Sequence, residues 1–254
     1  MPTVTVGPHR VWFQQQGRDR PAVLLVHGAG GSSRCYDVVL KAIGRRYRAV
    51  ALDLPGHGNT RGPMVTSEKL LDQYCEVVAA FAERIGLGRF LLGGHSMGGA
   101  VAQLLARRDP RRIAALVLIA TGARLPIADE FFEVLEARPG TLGQWLARVA
   151  YSPATSRRLA RSDARHWVAQ SPRSSWLADL EACRTFDLRG ELGGLECRTT
   201  VIGGADDRLT SPGMLEALAS EIPRAQLHLL SRAGHQLIGE RPDRVAQLVA
   251  QAVG

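Results

Sequence analysis

Short apolar runs alternate along the chain with longer segments in which apolar positions return every three or four residues. Residues 22–26 (AVLLV), 48–53 (RAVALD), 90–92 (FLL), 115–120 (ALVLIA), 199–202 (TTVI) and 226–230 (QLHLL) are the short runs. Most have little or no polar face, which predicts strands covered on both sides, as in a parallel sheet flanked by helices. Residues 4–6 and 10–14, separated by Gly7-Pro8, predict an opening hairpin. Residues 67–85 carry Leu70, Leu71, Tyr74, Val77, Val78, Phe81 and Ile85 on one helical stripe. Residues 242–253 begin with Pro242 at a helix start and set Val245, Leu248 and Val249 on one face. Alternation of this kind predicts an α/β fold with a mostly parallel sheet.

One interval breaks the rhythm. Residues 124–196 show no buried strand, only helical segments at 128–137, 141–151, 156–170 and 174–183. Seven of the fourteen aromatic residues fall there: Phe131, Phe132, Trp145, Tyr151, Trp167, Trp176 and Phe186. Rings that large must be buried against something. Two arrangements stay open, packing within the insertion and on the sheet, or a lid whose inner wall lines an apolar pocket. The expected organisation is a core of residues 1–123 and 197–254, with 124–196 as a helical cap that is not an independent domain.

Composition narrows the classes further. A chain of 254 residues supports one large domain, and 45% apolar with 22% charged residues argues against disorder. No apolar run approaches the roughly 20 residues of a membrane span. The opening MPTVTVGPHRVWF lacks the apolar centre of a secretory signal, so the expectation is cytoplasmic. Cys35, Cys75, Cys183 and Cys197 lack the short paired spacing of a zinc site or disulfide framework. No metal or cofactor is expected. The net charge of +8 comes almost wholly from arginine, since Lys41 and Lys69 are the only lysines. The arginines lie in short groups along the whole chain, none interleaved with aromatics. That pattern fits a solvated surface better than a nucleic-acid footprint. The expected partner is a small molecule, with neither nucleic acid nor membrane, and the oligomeric state stays open.

The candidate chemistry begins after the third parallel run. Phe90-Leu91-Leu92 is followed by Gly93-Gly94-His95-Ser96-Met97-Gly98-Gly99 and then by a helical stripe. Gly-x-Ser-x-Gly between strand and helix is the sequence form of a sharp, strained turn that lifts the serine oxygen above the sheet. A serine hydroxyl needs a base, and the base needs an orienting acid. With this type of turn they follow in the order Ser, Asp or Glu, His. His9, His27, His57 and His95 precede the serine, His166 lies in the insertion, and His228 sits inside a strand. His235, in the polar loop after the last strand, is the expected base. For the acid, Asp206 and Asp207 both lie just beyond a strand, and residue chemistry alone leaves both open. An oxyanion needs two preorganised N–H donors. Met97 offers one, and the loop His27-Gly28-Ala29-Gly30-Gly31 the other.

These pieces resemble the α/β-hydrolase superfamily over nearly the whole chain. The matching stretches are LLVHGAGGSS (24–33), DLPGHGNT (53–60), GHSMGG (94–99), VIGGADDRLTSP (201–212) and AGHQLIGERPD (233–243). The resemblance implies an α/β-hydrolase fold, an eight-stranded sheet with a helical cap inserted after strand six. It implies Asp207 as the acid, with Asp206 the lesser choice, and Ala29 and Met97 as the oxyanion amides. Pocket residues are expected among His27, Gly28, His95, Trp145, Trp167 and Trp176.

Ser96 at the turn discounts haloalkane dehalogenases and epoxide hydrolases, which carry a carboxylate there. The absence of lysine from 124–196 discounts hydroxynitrile lyases. What the resemblance leaves is a serine hydrolase of small to medium carboxylic esters, working through an acyl-enzyme. Lactonase, thioesterase, perhydrolase and carbon–carbon bond hydrolase share the same triad, and a receptor-like ligand binder is the alternative from another class. Arg157, Arg161 and Arg165 share a helix face with Arg158 beside them, which raises an acidic substrate group as a further possibility.

Overall fold

In a computed structural model, which describes residues 2–18, 21–63 and 69–254, eight strands form one sheet in the order β1-β2-β4-β3-β5-β6-β7-β8. The strands are β1 (Thr3–Val6), β2 (His9–Gln16), β3 (Ala22–Val26), β4 (Arg48–Leu52), β5 (Phe90–His95), β6 (Ile113–Ile119), β7 (Arg198–Gly204) and β8 (Gln226–Leu230). The β1–β2 and β2–β4 pairs are antiparallel, and β4, β3, β5, β6, β7 and β8 run parallel. The sheet is therefore mixed, with a parallel body and an antiparallel edge. Every residue of β3 and β5 is buried, as two-sided cover requires.

Side chains of the strands alternate between two cores. Leu24, Val26, Leu92 and Leu116 join Tyr74, Phe81, Val101 and the apolar residues of 123–195 on one face. Val23, Leu25, Leu91 and Val117 join Val39, Leu40, Val245 and Val249 on the other. The helices are α1 (Asp37–Ile43), α2 (Leu70–Arg84), α3 (Met97–Arg108), α4 (Asp129–Ala137), α5 (Leu142–Val149), α6 (Arg157–Val168), α7 (Arg173–Thr185), α8 (Pro212–Glu221), α9 (Leu237–Glu240) and α10 (Pro242–Val253). Helices α1 and α10 pack together on the second face, while α2 and α3 pack together on the first.

Four helices, α4 to α7, occupy the whole interval between β6 and β7. Their inner residues merge with the first core rather than forming a separate one. The helix expected from residue 67 begins at Leu70, and positions 67 and 68 lie outside the described residues. Strand β5 runs on through Gly93 and Gly94 to His95, because glycines can pair in a ladder although they add nothing to a hydrophobic pattern. Among the described residues, no helix is long and apolar enough to cross a membrane.

Candidate active site

Ser96 stands between β5 and α3 with φ 51° and ψ −117°, a strained backbone for a residue with a side chain. The strain is held by hydrogen bonds around it. Ser96 N donates to the Ile119 carbonyl at 2.9 Å, and its carbonyl accepts from Gly99 N at 2.8 Å and Thr121 Oγ1 at 2.9 Å. The flanking glycines are required by contact. A Cβ on Gly94 would overlap the Gly98 carbonyl, and one on Gly98 would overlap the Val26 and His27 carbonyls. Only bare backbone lets strand and helix come this close.

His235 lies on the loop between β8 and α9, buried, with Nδ1 3.0 Å from Asp207 Oδ2. Asp207 follows β7 and is buried too. Its Oδ1 accepts from Leu209 N at 2.8 Å and Thr210 N at 2.9 Å, an Asx-type turn that fixes the carboxylate. Its Oδ2 accepts from Thr210 Oγ1 at 2.7 Å, and the same hydroxyl lies 3.2 Å from His235 Nδ1. Burial favours the neutral acid, but His235 and the hydrogen bonds from His235 and Thr210 outweigh it and hold Asp207 below the usual carboxylate value. With Nδ1–H donating to the Asp207 carboxylate, the His235 ring carries its lone pair on Nε2. Asp206 turns the other way, accepting a hydrogen bond from Ser152 Oγ.

Ser96, His235, Thr210 and Ala29 line one cavity of about 260 Å³ with Trp145, Trp167, Trp176, Phe131 and Leu125. The rings form a contiguous wall, with Phe131–Trp145 centroids 4.7 Å apart and Trp167–Trp176 centroids 5.3 Å apart. Cys183 also borders it, but burial pushes its thiol well above the ordinary value, so it supplies no thiolate. An outer groove of about 710 Å³ shares Glu130, Trp145 and Arg208 with this cavity. Arg138, Arg148, Arg157 and Arg161 line that groove as well. Arg158 is not among its lining residues, and Arg165 packs against Gly143 of α5.

His27, Gly28 and His95 are placed differently from the expectation that they line the serine's pocket. They border a second cavity of about 330 Å³, with Trp167, Gln170 and Gln236. The reason is that both imidazoles are already committed. His27 Nδ1 donates to the Gly28 carbonyl at 2.8 Å while Nε2 accepts from Leu54 N at 3.1 Å. His95 Nε2 donates to the His235 carbonyl at 2.9 Å, holding the loop that carries His235. Burial, with His57 nearby, pulls His27 well below the ordinary value. Burial and His235 pull His95 down to about 3.

Sequence reading missed three contributors. Thr210 was detectable as the hydroxyl three residues past Asp207. Glu240 accepts from Gly234 N at 2.7 Å and Ser152 N at 2.8 Å, tying the His235 loop to the helical insertion. Asp179, on α7, is fully buried against His57 at 2.7 Å, and no local pattern marks it. Among the described residues, no cluster of three or more potential metal ligands occurs.

Residues 23–248 match the model of the alpha/beta hydrolase family. The chain is 33% identical over 231 residues to a pimeloyl-[acyl-carrier protein] methyl ester esterase of Nitrosomonas europaea, covering 85% of this chain and 88% of that one. A thermophilic esterase of Thermogutta terrifontis superposes with a TM-score of 0.87 at 25% identity, covering 99% and 97% of the two chains. The enol-lactonase of Burkholderia xenovorans superposes with a TM-score of 0.90 at 21% identity, covering 99% of each, a likeness of fold.

Proposed function

The chain belongs to the alpha/beta hydrolase family, and from that premise we propose that it is a serine hydrolase of small to medium carboxylic esters. In this reading Ser96 Oγ attacks the ester carbonyl. His235 Nε2 takes the serine proton and returns it to the departing alcohol. Asp207 holds His235 in the Nδ1–H tautomer and stabilises the imidazolium that forms. The N–H groups of Ala29 and Met97 receive the oxyanion. Water, activated by the same imidazole, then hydrolyses the acyl-enzyme.

One observation carries the reading. A strained serine and the base of a buried Asp207–His235 pair open into the same aromatic-walled cavity. At about 260 Å³ the cavity falls just below the roughly 300–1,000 Å³ of pockets for drug-sized ligands. Its apolar lining suits a short acyl chain. The named activities of the esterase relatives support ester chemistry, while lactones and thioesters meet the same machinery.

The test is labelling with a fluorophosphonate, followed by turnover of p-nitrophenyl butyrate. Covalent labelling at Ser96 and loss of turnover in Ser96→Ala are expected. A Ser96→Ala protein that hydrolyses the ester at the parent rate would refute the proposal.

A further inference from the structure

The loop expected to donate the first oxyanion amide is three parts glycine. Gly28, Ala29, Gly30 and Gly31 form a tight turn closed by one backbone bond, Gly31 N to the Gly28 carbonyl at 3.1 Å. Gly30 takes φ +62°, as the third residue of a type II turn requires. Glycine has almost no backbone preference, so such a turn cannot hold one orientation by itself. Preorganisation is what makes an oxyanion donor effective. The rigidity has to come from elsewhere.

It comes from the insertion. The Ala29–Gly30 peptide is bound at both polar ends by residues of two different helices. Trp167 Nε1, on α6, donates to the Ala29 carbonyl at 3.0 Å. Gly30 N donates to Asp179 Oδ2, on α7, at 2.9 Å. Asp179 is itself held by two other side chains. His57 Nε2 donates to Oδ2 at 2.7 Å, and Tyr74 OH donates to Oδ1 at 2.9 Å. His57 Nδ1 faces the Pro55 carbonyl at 3.0 Å, so both ring nitrogens face oxygen acceptors, which together with Asp179 favours the charged ring against the cost of its burial. The Trp176 ring of α7 covers Gly30 so closely that a Cβ there would overlap it.

We infer that Asp179 is a positioning residue of the reaction, anchoring the Ala29–Gly30 peptide so that the Ala29 N–H points at the developing oxyanion. The inference rests on the serine-hydrolase reading above. The structural carboxylate of the insertion thereby acts on the transition state through the loop, without touching substrate. A carboxylate serving the fold alone would leave the balance between ground-state and transition-state binding unchanged.

Kinetics on p-nitrophenyl butyrate separate the two roles. Asp179→Leu removes every acceptor. Its kcat should fall about 30- to 100-fold, the scale of a displaced or lost oxyanion donor, with KM within about threefold. Affinity for a trifluoromethyl ketone analogue, which forms the tetrahedral oxyanion, should fall by the same factor as kcat/KM. Asp179→Asn keeps an oxygen for Gly30 N and should recover kcat to within about fivefold of the parent. Should the leucine variant fail to fold, Trp167→Phe, which removes the other anchor, should lower kcat about tenfold and weaken the ketone in parallel. Folded variants with parental kcat, or with raised KM and unchanged kcat and ketone affinity, would overturn the assignment. Ser96→Ala run alongside distinguishes the failures, because its full activity would overturn the hydrolase reading instead.

Discussion

At residue 96 a side chain occupies a backbone conformation that costs on the order of 1–3 kcal/mol, and what surrounds it explains the cost. The hydroxyl is lifted toward a cavity it shares with His235, whose partner Asp207 is itself gripped by Thr210. Asp207→Asn should lower kcat by about 10²- to 10⁴-fold in ester hydrolysis, because the amide no longer selects the Nδ1–H tautomer. Asp206→Asn, which alters only the contact with Ser152, should lower it less than about tenfold. The reverse ranking would reassign the acid. Thr210→Val is nearly isosteric and should reduce kcat about tenfold, since it removes one charge-assisted donor from Asp207.

Among the elements, β3, β5 and α3 cross at the serine turn with backbone directly against backbone. Gly98→Ala pushes a methyl into two carbonyl oxygens and should cost about 3 kcal/mol or more, read from urea unfolding. Much of this layer was legible beforehand. Strands β3 and β8, helix α10 and the helical character of 124–196 follow from apolar periodicity, because burial imposes the period. The serine turn was legible because glycine is forced wherever backbones touch. Helix α1, with three buried residues among seven, left too short a stripe to register. Asp179 was illegible for a different reason. Its partners Gly30, His57 and Tyr74 lie 149, 122 and 105 residues away, and no local pattern encodes a buried charge pair across such separations. His27 and His95 misled for a related reason, since their proximity to the reactive loops reflects a structural task.

For the whole molecule, buried imidazoles couple stability to acidity. His27 and His95 are held neutral in the fold, whereas unfolded imidazoles titrate near 6.5. Below that pH, unfolding takes up protons and stability falls, by about 1.4 kcal/mol per pH unit for each ring. His57 has the opposite sign. Burial disfavours its charge, but Asp179 and the Pro55 carbonyl outweigh that and raise its pKa. Its contribution is complete below about 6.5 and fades as pH rises through the folded value. The urea midpoint should therefore peak near neutrality and drop between about pH 6.5 and 4.5, and a flat profile there would contradict the assignment. The net charge of +8 and the arginine-lined groove that shares Glu130, Trp145 and Arg208 with the cavity also act at this scale. Butyrate esters whose alcohol carries a carboxylate should show a lower KM than neutral analogues at low ionic strength. That advantage should vanish near 1 M salt, where screening acts within about 3 Å. Equal KM values would remove the groove from substrate selection. Because the aromatic wall comes from one uninterrupted stretch between β6 and β7, a lineage could exchange that stretch for another and inherit a new appetite in a single event. The two anchors from α6 and α7 narrow that freedom. A transplanted stretch lacking an indole and a carboxylate at those points would bring its own pocket and leave the Ala29–Gly30 peptide without either bond.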